Sequence, residues 1–151
     1  MKTNITGMVV FIILLVASLV ILPTYFKSIE NHTLDVNCVQ RAARNFNDAV
    51  IDNRVITEDM VANLNLSLAE CHDSYSYKIY RHQKVVTPNV NGNYDVDWVL
   101  VEVNVGDMLA QGDFIQVSIT QESVSIYQAI SSFFLPASYE PYSHAPTAMV
   151  R

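Results

Sequence analysis

The sequence predicts an α+β fold in which one long helix and one short helix pack on a three- or four-stranded antiparallel sheet. Three observations support this prediction. An uncharged apolar run near the N-terminus continues into a segment with helical periodicity, a second amphipathic segment follows, and the rest of the chain alternates apolar and polar residues. Behind the apolar run we therefore expect one α+β domain, over residues 27–135, and a Pro- and Tyr-containing tail over 136–151.

The apolar run, residues 8–26, predicts a transmembrane helix. It contains no charged residue, and single lysines, Lys2 and Lys27, lie on either side of it. A helix of this length rises roughly 28 Å, close to the thickness of the hydrocarbon core of a bilayer. Because one lysine lies on each side of the apolar run, the positive-inside rule favours neither orientation of the helix in the membrane.

Three interpretations of this segment stay open: a cleaved secretory signal, an uncleaved signal anchor, and a short polar leader that is removed before the apolar helix. A secretory signal needs small residues at its cleavage site, and the residues after Leu22 make a poor one. A short leader ends in glycine directly before the apolar run. Residues 1–7 have that form, because Gly7 is followed by Met8.

Helical periodicity continues past the apolar run. Apolar residues recur at steps of three and four from Phe26 to Val50, and polar residues, Asp35 among them, occupy the other face. The pattern predicts one helix from about Gly7 to Ile51. We expect a bend at Pro23, because proline removes one backbone hydrogen bond and clashes with the preceding turn.

A second helix and several strands follow. Thr57 is a good N-cap residue, and acidic residues occupy the next two positions, so a helix is predicted from there to about Cys71. Alternation predicts three consecutive strands that form a meander, over 75–80, from 94 onward and over 115–119, with a bulge near Val99. Residues 126–135 fit a short helix or a fourth strand. We expect no regular structure after Pro136, because two more prolines follow.

The two cysteines, Cys38 and Cys71, fall on or beside the apolar stripes of the two predicted helices. Two antiparallel helices would bring them within bonding distance, and a disulfide is our first interpretation for a domain outside the cytoplasm. Two buried free thiols or a metal site are the alternatives. No spacing typical of a metal site supports the latter.

Side chains with oxygen atoms occur at every second position around a predicted hairpin turn, Asn91–Gly92. Calcium loops use such spacing, which makes a calcium site the alternative interpretation. No bidentate glutamate follows at the right distance, and in a hairpin the same alternation places polar residues on the solvent face. We favour the hairpin and predict no other cofactor. The candidate calcium ligands are Asn91, Asn93, Asp95 and Asp97.

Two classes of function are not expected. The net charge of −6, with 9 basic and 15 acidic residues and no basic run, offers no electrostatic surface to nucleic acid. The sequence has no nucleophile elbow and no phosphate-binding loop, and its histidines are scattered, so we expect no enzymatic activity. The histidines are His32, His72, His82 and His144.

The order of a leader ending in Gly7, an apolar helix, a proline bend, an amphipathic continuation and a small sheet resembles type IV pilins and pseudopilins. Residues 7–120 are more narrowly similar to the TadE-like pilin-related proteins of Gram-positive bacteria, which belong to Tad-type pili or secretion systems. Three stretches carry the likeness: Phe46-Asn-Asp-Ala-Val-Ile-Asp with Ile56-Thr-Glu-Asp-Met60, Tyr75-Ser-Tyr-Lys-Ile-Tyr-Arg-His82, and Gly112-Asp-Phe-Ile-Gln-Val117.

The resemblance implies a structural or assembly subunit. A prepilin peptidase would cut between Gly7 and Met8, and the mature helix would pack against membrane lipid, an assembly platform and other pilin-like subunits. The domain would lie outside the cytoplasm, in the membrane or in an extracellular filament. Such pilins usually carry glutamate at the fifth mature position, where this chain has Ile12, and this difference favours a minor pilin or pseudopilin. The alternative is a single-pass, membrane-anchored domain that binds or senses a ligand outside the cytoplasm.

Overall fold

The computed structural model describes residues 5–91, 93–134 and 141–150, and it confirms the predicted α+β architecture. Leader residues 1–4, the turn residue Gly92, tail residues 135–140 and Arg151 lie outside the described residues. The elements in chain order are α1 (Ile5–Asn53), α2 (Glu58–Ala69), β1 (Tyr75–Pro88), β2 (Tyr94–Glu102), β3 (Phe114–Gln121), α3 (Ile126–Phe134), β4 (Ser143–His144) and β5 (Thr147–Met149).

Helix α1 is one continuous helix of 49 residues with Pro23 inside it, which confirms the predicted single helix; each end lies two residues beyond the predicted bound. The predicted apolar stripe is buried in the second half of the helix, at Val39, Ala43, Phe46 and Val50. Nearer the apolar run the predicted face is wrong, because Phe26 and Thr33 are exposed while Ser28 and Asp35 are buried. The inward positions there carry polar side chains, which hydrophobic periodicity assigns to solvent.

Helix α2 begins as predicted after Thr57, whose side-chain oxygen accepts a hydrogen bond from the backbone N–H of Met60. This bond satisfies one of the free donors in the first turn. The helix runs antiparallel to α1, since the start of α2 lies against the residues near Phe46 and its end lies against Cys38. Leu64 and Leu68 are buried between the helix and the rest of the core.

The sheet is antiparallel, but its strand order is β2-β1-β3-β4, with β5 also pairing with β3. Strand β1 is therefore central, and the expected meander of consecutive strands is wrong. The register between β1 and β2 is unbroken from Tyr80 opposite Glu102 to Pro88 opposite Tyr94, so the predicted bulge near Val99 is absent from these paired residues. Both faces of β2 are exposed, and its apolar pattern consequently gives no information on register.

The core lies between α1, α2 and the inner face of the sheet. Alternate residues of β3 point into it, and Ile115, Val117 and Ile119 have no exposed surface. Residues 126–134 form the helical alternative of our prediction, as α3.

The C-terminal tail differs from the prediction. Strands β4 and β5 pair with β3, and Val150 is 1% exposed. The backbone N–H of Val150 donates to the carbonyl of Asp113, and its own carbonyl accepts from Gly112. Pro141 and Pro146 lie outside the two strands, so neither proline removes a donor from the paired segments.

Candidate functional site

The apolar half of α1 forms an extended apolar surface that no other described element buries. The large apolar side chains from Met8 to Leu22 are between 43% and 66% exposed, on all sides of the helix. The most apolar window has a mean hydropathy of 2.7, and none of it is buried. By length and composition α1 is therefore a candidate membrane span, consistent with single-pass anchoring.

Polar groups inside this span bond within the helix itself. The hydroxyl of Ser18 donates to the carbonyl of Leu15, and the hydroxyl of Thr24 donates to that of Val20, each at 2.8 Å. Transfer of a hydroxyl into hydrocarbon without a hydrogen-bond partner costs on the order of several kcal/mol. The two internal bonds make this helix compatible with an apolar environment.

The predicted processing point lies within α1. Gly7 and Met8 are both helical, and both are exposed. Ile12, at the position where pilins usually carry glutamate, presents an apolar side chain that is 49% exposed. Helix α1 has no acidic residue in its first turn.

A buried carboxylate joins the middle of α1 to the end of α2. Asp35 is 1% exposed, and its two oxygens accept hydrogen bonds from the backbone N–H groups of His72, at 2.6 Å, and Asp73, at 3.1 Å. The Nδ1 atom of His72 lies 3.3 Å from the same carboxylate. Asp35 thus supplies the acceptors for two backbone donors of the turn after α2.

One turn farther along α1, a disulfide joins Cys38 to Cys71, with their Cα atoms 5.9 Å apart. The predicted disulfide is confirmed, and the alternatives of two free thiols or a cysteine metal site are wrong, because both sulfur atoms are bonded. Together with Asp35, the covalent link fixes the α2–β1 connection to the first helix at two successive turns.

We call the contacts of Asp35 and Cys38 with residues 71–73 the junction. Gln121, which is 3% exposed, extends the junction to the sheet and the tail. Its amide nitrogen donates to Asp73 at 2.7 Å, and its amide oxygen accepts from Gln128 and from the backbone of Tyr142. Gln128 and Ser125 also cap the start of α3 reciprocally. The Ser-x-x-Gln pattern is a capping box, so this signal in the sequence could have identified α3 as a helix.

Two ionisable groups of the junction have shifted pKa values. Burial, followed by the charge of Asp35, raises the pKa of Asp73. Burial and the charges of Asp35 and Asp73 raise the pKa of Tyr75, so this phenol stays protonated. Both pKa shifts have the same causes: burial contributes most, and the neighbouring negative charges add to it.

We predict that Asp73→Asn raises the midpoint of urea denaturation at pH 7. The pKa of Asp73 is higher in the folded than in the unfolded state, so protonation of Asp73 stabilises the fold. This contribution to the free energy of unfolding is present at low pH and is lost as the pH rises through the folded-state pKa. An asparagine removes the repulsion from Asp35 and still offers an oxygen to Gln121. The difference between variant and wild type should shrink as the pH is lowered towards 3.8, the ordinary pKa of an aspartic acid. Equal curves for the two proteins at every pH would contradict this, and Asp48→Asn, on the exposed face of α1, is the matched control.

Two of the four histidines are brought to the junction. The ring of His32 stacks on Tyr127 at 4.8 Å, and His32, His72 and Asp35 line a cavity of about 190 Å³. His82 instead contacts Gln116 in the sheet, and His144 stacks on Tyr142, where burial and the nearby Arg44 lower the pKa of His144. Asp35, which lines this cavity, accepts hydrogen bonds from the backbone of His72 and Asp73, and these bonds hold the turn after α2 in place.

The four candidate calcium ligands lie on two different parts of the β1–β2 hairpin. Asp95 and Asp97 lie on one face of the extended strand β2, opposite Thr87 and Val85 of β1, while Asn91 and Asn93 belong to the turn. An extended strand spaces such side chains along a line, whereas calcium needs six or more oxygens around one centre. Among the described residues, no group of three or more His, Cys, Asp or Glu side chains is placed to hold a metal ion.

Comparison of the chain with protein-family models, with curated proteins and with solved structures gave no match.

Proposed function

We propose that the chain is a non-enzymatic structural or assembly subunit of a type IV or Tad-like filament or secretion system. In this proposal α1 holds the subunit in the membrane before assembly and packs against the corresponding helices of other subunits afterwards. The observation that carries it is the continuity of α1, whose exposed apolar half runs into the core of the domain without an intervening loop.

The way the domain is attached supports this proposal. A subunit that transmits its position to its neighbours through one helix needs a domain that is fixed to that helix. Asp35 and the Cys38–Cys71 disulfide both make that attachment, by two hydrogen bonds to the turn after α2 and by a covalent link. A sensor on a flexible tether would require neither.

The mature N-terminus tests the proposal. In cells that contain an active prepilin peptidase, we expect the intact mass of the protein to correspond to a chain that begins at Met8. A Gly7→Leu variant should retain residues 1–7, because the larger side chain blocks cleavage after position 7. If the wild-type chain keeps residues 1–7 while a known substrate of the same peptidase is cut, the processing step is wrong and the membrane-anchored alternative is favoured.

The alternative is a single-pass domain that binds a ligand outside the cytoplasm. The observation in its favour is the outer face of the sheet, where Trp98 packs edge-to-face on Phe114 with ring centroids 5.3 Å apart and remains 49% exposed. Aromatic side chains of this kind are enriched at binding surfaces. This alternative predicts an uncleaved chain that is never recovered in filaments sheared from cells.

A further inference from the structure

Strand β2 is an open edge of the sheet. Within the described residues it pairs only with β1, and all nine of its residues are exposed. Six of the nine are apolar, namely Tyr94, Val96, Trp98, Val99, Leu100 and Val101. Soluble proteins usually protect such edges, since a row of unpaired backbone groups beside apolar side chains binds other strands.

The pairing with β1 determines which backbone groups of β2 are free. Val103 donates to the carbonyl of Ile79, and Asn89 donates to that of Asn93, so the hydrogen-bonded pairs involve the odd-numbered residues of β2. In an antiparallel ladder these pairs alternate with pairs that make no hydrogen bond. The N–H and C=O groups of the even-numbered residues, from Tyr94 to Glu102, therefore point away from β1 into the open edge.

The side chains of the same even-numbered residues lie on the outer face of the sheet. Val96, Trp98 and Leu100 are each about half exposed, and Trp98 contacts Phe114 of β3 from that face. Asp95 and Asp97 alternate with them and lie on the other face. The open edge thus offers free backbone groups and an apolar row together.

We propose that β2 pairs antiparallel with β2 of a second copy of this chain, in a register centred on Trp98. Trp98 is the midpoint of the strand, so this register aligns all nine residues of both copies. It also pairs even-numbered residues with even-numbered residues, as the free backbone groups require. Val96 then faces the second copy's Leu100, and the two Trp98 side chains are neighbours on the outer face.

The positions of the acidic residues are compatible with a second copy of β2 as the partner in this register. Asp97 faces the second copy's Val99, and Asp95 faces its Val101, so no carboxylate lies directly opposite another although each chain carries a net charge of −6. A shift that centres the pairing on Val96 would place Asp95 opposite Asp97, which is destabilising. A centre at Asp97 would place Asp97 opposite the second copy's Asp97, and a centre at Val99 would leave Tyr94 and Asp95 of each copy unpaired. Sliding one strand by a single residue would pair free groups with groups already bonded to β1. The inference does not rest on the proposed function, because it concerns the domain and not α1.

Disulfide trapping tests the register in the full chain in detergent. In the proposed pairing, positions 97 and 99 of the two copies form a close pair without hydrogen bonds, whereas 97 with 97 or 99 with 99 are diagonal neighbours about 7–8 Å apart. Mixing Asp97→Cys with Val99→Cys under mild oxidation should give at least ten times more cross-linked dimer than either variant alone. Ser118→Cys, on the outer face of β3, is the control and should give none.

A proline on the open edge gives the second test. The N–H of Val96 points away from β1, so Val96→Pro removes a donor from the edge and leaves the hairpin bonds in place. We expect Val96→Pro to weaken self-association at least tenfold relative to Val96→Ala, measured by sedimentation in detergent. A wild-type monomer, a dimer that Val96→Pro leaves intact, or equal trapping by single and mixed cysteine variants would each overturn the proposal.

Discussion

Replacement of Asp35 by alanine is expected to lower the free energy of unfolding by about 3 kcal/mol, because it leaves two backbone donors at the end of α2 without their acceptor. The two donors are the N–H groups of His72 and Asp73, and the carboxylate that serves them is 1% exposed. Urea denaturation of the full chain in detergent, followed by the fluorescence of the single tryptophan, measures the change.

Two further variants make this prediction specific. Asp48→Ala removes a carboxylate from the exposed face of the same helix and should change the free energy of unfolding by less than about 0.5 kcal/mol. Asp35→Asn keeps one oxygen acceptor and should give an intermediate loss. If Asp35→Ala is no more destabilising than Asp48→Ala, the buried carboxylate does not support the junction.

Loss of the Cys38–Cys71 disulfide is expected to cost about 3–4 kcal/mol, because the bond closes a long loop of the unfolded chain. The two residues are 33 positions apart. Replacing both by serine should have the same effect on the urea midpoint as treating the wild type with a reductant. The fold should survive under mild conditions, since the other core residues, among them Val39, Phe46 and Leu64, stay buried when the sulfur–sulfur bond is lost.

The control for the disulfide prediction is the double serine variant itself. Reductant should leave its urea midpoint unchanged, because it has no other disulfide to lose. If reductant destabilises the double variant as much as the wild type, the effect arises elsewhere. If neither reduction nor substitution lowers the wild-type stability by more than about 1 kcal/mol, the loop-closure argument fails for this chain.

The helices and strands that bury one face and expose the other could be predicted from the sequence. Helix α1 after Val39, helix α2 and strand β3 each bury one face, so the spacing of their apolar residues follows that face. Thr57 and the two cysteines were also identified, because capping and disulfide formation depend on residue type as well as pattern. For these elements local sequence and tertiary structure agree.

The junction could not be predicted, because its partners are distant in the sequence. Asp35 is polar, so periodicity assigns it to the solvent face, although its hydrogen-bond partners are backbone groups 37 and 38 positions farther along the chain. Gln121 likewise joins three segments that periodicity treats separately. Hydrophobic patterning cannot identify an inward-facing polar residue, whose burial depends on hydrogen-bond partners that only the fold supplies.

Strand order and the short C-terminal strands were missed for a related reason. The alternation in β1, β2 and β3 predicts strands and does not say which of them are neighbours, so the central place of β1 was not visible. β4 and β5 contain two and three residues, too few for any periodic pattern, and they form because β3 offers them an edge. Pairing is a property of the sheet as a whole.

The continuity of α1 also sets an angular relation between its apolar half and the sheet. Each residue turns an α-helix by about 100°, so one residue inserted between Pro23 and Ser28 would swing the domain about a quarter of a revolution around the helix axis. Four inserted residues would bring it back to within about 40°. The number of residues between the apolar half of α1 and the domain therefore sets the direction in which β2 points around the helix axis.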